Sequence, residues 1–276
     1  MKRGLSRILL ITLSLSFILP MMMVLIWSAT VSWPFPEIFP RGFGLRGFQE
    51  IFRPGSPALY SLLTSIRISI IATLLTLGIT LPGGKALGIY EFPGKSFIKI
   101  FVLAPLIISP VAIGMGVHGT FIRMGLTNTE LGVVLIHIVP GIPYGIRIFT
   151  NIFELVGEDL EEQGKVLGAG SVQTFMHITL PTVIPGIISA GSMIFIISFS
   201  QYFLTFLIGG GSVQTFPLLM VPYIQSGDRL MAASYSVVFI IVALMVLLAI
   251  EKTLRLYYRK QSGIAGVFYS RKKVRS

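Results

Sequence analysis

The chain has 276 residues, 53% of them hydrophobic and 12% charged, with a mean hydropathy of +0.83. A water-soluble domain carries about 25% charged residues, so this composition excludes an ordinary soluble globular protein, and the absence of cysteine excludes disulfides and thiolate metal or redox centres. The net charge of +11 gathers at the two ends, in Lys2, Arg3 and Arg7 and in the eight basic residues from Lys252 to Arg275, a pattern of membrane flanks and lipid contact rather than of a nucleic-acid surface.

Apolar blocks near the length that crosses a bilayer, about 20 residues for about 30 Å of hydrocarbon, organise the chain. Residues 8–27 are uncharged behind the basic start. The run is too long for the h-region of a signal peptide and lacks a good small-residue cleavage pattern, so it predicts a first span that is retained. Residues 28–57 hold Trp33, Pro34, Pro36, Pro40, Gly42, Gly44, Gly47 and Pro54, and predict a loop outside the membrane with one short helix near 45–52. A second span covers 60–81. Its Arg67 must snorkel or face protein, and Pro82-Gly83-Gly84 is expected to break it.

Residues 85–99 then form a link to a third span, 100–117, interrupted by Pro105 and Pro110. Membrane helices tolerate such prolines where neighbours re-satisfy the backbone. After a short turn at 123–130, a fourth span runs over 131–146 and on toward Phe153. A polar insert follows. The fifth span is expected at 182–208, an outer loop at 209–228 with an interfacial stretch at 218–224, and the sixth span at 230–250.

Six spans place both ends on one side. Sixteen of the 22 Lys and Arg fall on that side, five on the other, and Arg67 within a span, which puts the ends and the insert in the cytoplasm. The expected fold class is all-α: a polytopic membrane protein of six transmembrane helices. Residues 1–57 are the first span and outer loop, 58–254 a five-helix core with the insert at 154–181, and 255–276 a basic cytoplasmic tail.

Several motifs carry little. Gly42-Phe43-Gly44-Leu45-Arg46-Gly47 matches a dinucleotide fingerprint but lacks the strand before it and the helix after it in a βαβ unit. Gly84-Lys85-Ala86 is the nearest approach to a P-loop and lacks the earlier Gly and the Ser or Thr, so the chain offers no ATP site of its own. His118, His137 and His177 are scattered, so no metal site is expected, and no Ser, His and acid constellation points to catalysis. Gly141 and Gly145 form a G-x-x-x-G in the fourth span, read as ordinary helix packing or a kink at Pro140 and Pro143. The hexapeptide Gly-Ser-Val-Gln-Thr-Phe occurs twice, ending at Phe175 and at Phe216; coincidence is favoured over duplication.

The insert is more specific. Glu158, Asp159, Glu161 and Glu162 suit the positive end of a helix dipole. Gly168, Ala169 and Gly170 predict its stop, Ser171 a cap for a second helix over 172–178, and Pro181 the start of the fifth span. Leu167, Phe175, Ile178 and Leu180 read as residues that seek burial.

This pattern resembles the Glu-Ala-Ala loop of inner-membrane permease subunits of type I binding-protein-dependent ABC importers. Glu162-Gln163-Gly164 stands at the Glu-Ala-Ala, Gly168-Ala169 at the Gly-Ala, and Phe175, Ile178 and Leu180-Pro181 at the remaining positions. Gln163 and Gly164 depart from the two alanines, and Gly164 is expected to loosen the helix by about 1 kcal/mol relative to Ala. The likeness runs over about 59–254, with Glu91-Phe92-Pro93-Gly94-Lys95 and Ala104-Pro105-Leu106 to Pro110 included, and the layout is most similar to the second permease of the spermidine/putrescine group.

The resemblance implies a non-catalytic subunit in a prokaryotic inner membrane. Glu162, Gly168, Ala169, Phe175, Ile178, Leu180 and Pro181 would dock a cytoplasmic ABC ATPase dimer, which binds the ATP, and this chain would need no cofactor. A second permease and an extracytoplasmic solute-binding protein are the other implied partners. Many polyamine relatives carry acids just after a Ser-Phe in the fifth span; here Ser198-Phe199 is followed by Ser200-Gln201-Tyr202, and Ser198, Gln201 and Tyr202 line a pathway or pack helices. The alternative class, an ion-coupled secondary transporter or channel, expects ionisable residues inside the spans; a scaffold would need no elbow.

Overall fold

The computed structural model describes residues 2–33, 37 and 39–272, with side chains described between Leu9 and Thr253. Pro34 and Pro36 and the side chains of both basic termini, including the 255–276 tail, lie outside the described residues. In chain order the elements are α1 (Lys2–Ser28), β1 (Thr30–Ser32), β2 (Gly42–Phe43), α2 (Arg46–Ile51), α3 (Pro57–Ile89), α4 (Lys95–Ile107), α5 (Pro110–Arg123), α6 (Glu130–Val156), α7 (Asp159–Val166), α8 (Ser171–Thr174), a π-helical turn (Phe175–Thr179), α9 (Leu180–Phe199), α10 (Phe203–Gly209), α11 (Phe216–Ser226) and α12 (Arg229–Lys272). Five stretches, Leu9–Ser28, Pro57–Ile89, Glu130–Val156, Ser171–Phe199 and Arg229–Thr253, are long and apolar enough to cross a membrane; α4 and α5 together would add a sixth. This is the all-α polytopic architecture expected.

Residues 1–65 and 214–243 form one compact unit. Its short antiparallel hairpin pairs Thr30 with Phe43. Gly47 brings α2 close to α12, for a Cβ there would lie 2.6 Å from Cβ of Ser234. The hydroxyl of Ser234 reaches the Ser28 carbonyl at 3.4 Å, and the Arg229 guanidinium sits 5.6 Å from the Trp27 ring centroid. Tyr235 packs between Phe216 and Tyr223 of α11, at 5.0 and 5.1 Å. The expected short helix and apolar stretch of this region are α2 and α11.

Residues 66–213 and 244–276 form the second unit, built around α6. Thr129 caps α6, its hydroxyl accepting the Gly132 N–H at 3.0 Å, and Gly157 ends it at φ +67. One core cluster joins Ile68 and Ala72 of α3 to Val133 and Ile136 of α6 and Leu204 and Ile208 of α10; a second joins Phe149 and Phe153 to Val183, Ala190 and Ile194 of α9. Arg67 is exposed and pairs with Glu130, at the start of α6, at 2.6 Å.

Pro82-Gly83-Gly84 does not end the second span: α3 runs unbroken to Ile89. The reason is a seam with α6. Thr76, Thr80, Gly84 and Gly88 form one i, i+4 row of α3, and Gly141, Gly145, Phe149 and Phe153 form one of α6. A Cβ on Gly141 would lie 3.2 Å from Thr76 Cγ2, and one on Gly145 2.8 Å from Thr80 Cβ. Further along the roles exchange: a Cβ on Gly84 would overlap Cβ of Phe149, and one on Gly88 would lie 2.8 Å from Cβ of Phe153. The threonine hydroxyls stay within their own helix, donating to the carbonyls of Ala72 and Thr76 at 2.7 Å. The glycines therefore serve close packing, and the short link that remains is 90–94.

The third span is interrupted at Pro110, as expected, while α4 runs straight through Pro105: α4 and α5 meet at 103° across Ile108-Ser109, where Ser109 caps α5 and Pro110 occupies its first turn. The fifth departs from expectation: it ends at Phe199, and α10 begins only after a break at 200–202. The repeated hexapeptide takes two environments, with Phe175 38% exposed and Phe216 fully buried.

Candidate functional site

Acidic residues open α7, with Asp159, Glu161 and Glu162 in its first turn. Its end is a complete Schellman motif. The Gly168 N–H donates to the Lys165 carbonyl at 2.9 Å and the Ala169 N–H to the Gly164 carbonyl at 3.0 Å. Gly168 takes φ +86, the left-handed conformation this turn requires. A Cβ on Gly168 would meet nothing within 4 Å, so the demand is conformational rather than steric.

Ser171 is not the cap expected for the second helix: Gly170 holds that position and Ser171 is the first helical residue. Nor is the second arm separate. It continues through the π turn into α9, so the elbow's second arm is an extension of the fifth span. Pro181 lies just beyond the π turn and offers no N–H to the carbonyl four residues back, and its ring crowds that carbonyl; the wider winding before it relieves both.

The arms close on each other at Gly164, which is buried. A Cβ there would lie 2.7 Å from Cδ1 of Ile178. The departure from alanine thus admits Ile178 and does not simply loosen the helix. Beside it, Nζ of Lys85 lies 2.8 and 2.6 Å from the two carboxylate oxygens of Glu161, and the Thr179 hydroxyl donates to Glu161 Oε1 at 2.6 Å. Partial burial pushes the Glu161 carboxyl up, but the hydrogen bonds from Lys85 and Thr179 and the charges of Lys85 and Lys165 outweigh it and hold the group below its usual value.

The expected docking residues divide between two surfaces. Glu162, Gly168 and Phe175 are exposed; Ala169, Ile178, Leu180 and Pro181 are half-buried. Leu167 and Phe175 are not buried as their chemistry led us to expect. Val166 and Leu167 are each 87% exposed and Val172 is 75% exposed, an apolar surface on an otherwise polar insert. The sequence reading missed Glu161 and Lys85. Two adjacent glutamates on a helix point about 100° apart, so the pair need not share one surface, and here it does not.

At the second candidate locus, Ser198 is buried at the end of α9 and bonds His137, while Gln201 and Tyr202 lie in the break itself. Ser198 Oγ is 2.9 Å from His137 Nδ1, and Thr205 Oγ1 is 2.8 Å from His137 Nε2. The Thr205 hydroxyl donates to the Gln201 carbonyl at 3.1 Å. With that proton committed, Thr205 accepts from Nε2–H, and Nδ1 accepts from Ser198. A neutral imidazole in one tautomer therefore fastens the two ends of the break to α6. Tyr202 stacks on Phe206 at 6.1 Å. Of the three expected pathway residues, Ser198 is engaged in packing. His137, one of the three histidines set aside in the sequence as no metal site, is here a hydrogen-bonded core residue.

With this geometry in hand, the chain was compared with known proteins. The family model for binding-protein-dependent transport system inner membrane components matches residues 95–257, which takes in the insert and both helix breaks. A probable ABC transporter permease protein of Pyrococcus horikoshii is 25% identical over 83% of this chain and 87% of its own length. The molybdenum transport system permease protein ModB of Escherichia coli is 28% identical over 75% of this chain and 97% of its own. In fold, the chain is similar to a chain of a bacterial ABC transporter that imports the acidic polysaccharide alginate, with a TM-score of 0.69 at 15% identity, covering 90% of this chain and 94% of that one. These relationships displace the ion-coupled transporter and scaffold readings. A chain with these membrane-crossing helices, this insert and a family match over more than half its length belongs to the binding-protein-dependent transport system inner membrane components, as a multi-pass permease subunit of an ABC importer.

Proposed function

We propose that this subunit forms half of a solute pathway and docks a cytoplasmic ATPase through residues 157–181. One observation carries the reading: Val166, Leu167 and Val172 stand exposed on a segment too acidic to lie in hydrocarbon. Exposed apolar area costs about 25 cal/mol per Å² relative to burial, and a contiguous patch of it marks a partner site. A short helix ending in a tight turn suits a helix-in-groove contact, with Glu162 beside it for a basic partner residue. Phe175 and Gly168 complete the exposed face, and Ala169, Ile178, Leu180 and Pro181 hold it against the fifth span.

ATP belongs to the partner, and closure of its dimer draws the insert and its counterpart in a second permease together, rocking the spans as rigid bodies. We place six spans in an inner membrane with both ends in the cytoplasm, from the Lys and Arg bias. A second permease is favoured by the lack of any buried residue in α4. A solute-binding protein on the far side is favoured by a similar transporter solved with its alginate pentasaccharide-bound periplasmic protein. The likeness to the polyamine group is weakened at the break, where Ser200, Gln201 and Tyr202 are neutral. Among the described residues, acids in the span helices sit only near their ends.

The test is affinity purification of the tagged chain from its native membrane. An ABC ATPase and a second permease are expected to co-purify. Leu167→Glu is expected to shed the ATPase and keep the permease. Undiminished ATPase on the Leu167→Glu protein would sink the docking assignment.

A further inference from the structure

The two adjacent glutamates of α7 face different ways. Glu162 is exposed, whereas the Glu161 side chain is only 12% exposed and that of its partner Lys85 26%. We propose that Glu161 is a positioning residue for transport, tying α7 to α3 and to the root of α9 so that displacement of the insert is carried into the spans.

Three elements meet at this carboxylate. Lys85 comes from α3, Glu161 from α7 and Thr179 from the π turn that leads into α9, joined by three hydrogen bonds of 2.6 to 2.8 Å. Two other inter-helix ion pairs among the described residues of this unit are different. Arg67–Glu130 is 56% and 38% exposed, Lys99–Glu154 is 38% and 45% exposed, and each joins two elements. Exposed pairs part readily and contribute about 0–1 kcal/mol. A charge-assisted cluster shielded from water and shared among three donors and acceptors has fixed directions and resists separation.

The insert needs such a tie because of how it is hung. α7 lies between two glycines at positive φ, Gly157 at +67 and Gly168 at +86. These are the positions where the chain pivots most easily. Among the described contacts, α7 is held to the neighbouring helices by the Glu161 cluster and by Gly164 against Ile178 and Thr174. Without the carboxylate, a pull on the insert would swing α7 on its glycines. With it, the same pull acts on α3 and on the start of α9, the helix that ends at the 200–202 break.

The inference rests on the insert docking an ATPase, and the test keeps the two claims apart. The chain has no cysteine, so Ser200→Cys at the exposed break can carry an environment-sensitive fluorophore, with the Ser200 parent labelled in parallel as a blank. The complex is purified whole and placed in lipid nanodiscs. Co-purified ATPase reports docking, and the emission change on adding ATP reports transmission.

Glu161→Gln and Lys85→Met are expected to retain the ATPase at parent stoichiometry while the ATP-induced change falls by about fivefold or more. The exchanged pair Lys85→Glu with Glu161→Lys is expected to recover most of it, which loss of folding would not allow. Glu162→Gln should instead weaken ATPase retention. A full emission change in Glu161→Gln would overturn the proposal. So would loss of the ATPase from Glu161→Gln, which would put that carboxylate at the docking surface, or an exchanged pair no better than either single variant.

Discussion

The Ser198 hydroxyl donates to Nδ1 of His137 across 2.9 Å, and this bond ties the last turn of α9 to the first third of α6. Both side chains are almost completely buried, so removing the donor leaves an imidazole nitrogen with no substitute partner from solvent. Ser198→Ala should destabilise the folded chain by about 1 kcal/mol, the scale of single hydrogen bonds between membrane helices. Thermal unfolding of the detergent-solubilised protein measures it. Ser200→Ala, whose exposed hydroxyl reaches only its own helix at 3.3 Å, should match the parent.

The α3–α6 seam makes a sharper steric prediction. A Cβ on Gly84 would overlap that of Phe149 and lie 3.0 Å from the Thr150 backbone nitrogen. Backbone cannot move aside as a side-chain tip can, so Gly84→Ala should cost about 1–3 kcal/mol. Gly78→Ala, on the same helix with nothing within 4 Å, should leave the unfolding temperature unchanged or slightly raised. Equal effects at the two positions would refute the seam.

These two sites show what sequence conveys and what it withholds. The spans were legible because a bilayer demands length and hydropathy together, and both are local. Pro82-Gly83-Gly84 misled because that tripeptide ends helices in water, where freed backbone groups find solvent; against Phe149 the same glycines permit contact. A second G-x-x-x-G, Gly84 to Gly88, lay in view and marked the seam. At the insert, Gly168 announced the turn. Yet nothing in the letters separates Glu161 from Glu162; only the phase of α7 does. Leu167 and Phe175 signalled a wish for burial without saying whether the partner lies in this chain.

The Glu161 carboxyl is held below its ordinary value of 4.5, so its ionised form is favoured in the folded protein. Its contribution is therefore full at pH above that ordinary value and is lost as the pH falls through the lowered one. Hydrogen exchange of backbone amides over 159–166 should accelerate in that acid window beyond the intrinsic change. In Glu161→Gln the window should vanish. Persistence of the transition in that variant would assign it to another group.

Replacing Gly168 tests conformation without sterics. At φ +86 a β-branched residue is strained by about 1–2 kcal/mol or more, whereas Asn tolerates the left-handed region. Gly168→Val should lose ATPase retention and Gly168→Asn keep most of it, measured as subunit ratio after purification. Parity between the two would mean that the turn is dispensable.

The repeated hexapeptide provides an internal contrast. Phe216 is fully buried against Tyr235, at 5.0 Å between ring centroids, so Phe216→Ala should lose about 3–5 kcal/mol. Phe175 is 38% exposed on the insert; Phe175→Ala should change unfolding far less and act on subunit retention instead. Comparing melting curve and subunit ratio for each variant reads both effects.

The exchange of small and large residues along α3 and α6 has a mechanical corollary. Bulk sits on α3 in the first half of the seam and on α6 in the second, so axial slippage by one turn in one direction drives Phe149 onto Thr80, and in the other it sets Gly145 against Gly84 and empties the contact. The two helices are keyed like a lap joint and must travel as a single beam. Whatever bending accompanies a transport cycle is then left to the joints the chain already possesses, the corner at 108–109 and the gap at 200–202.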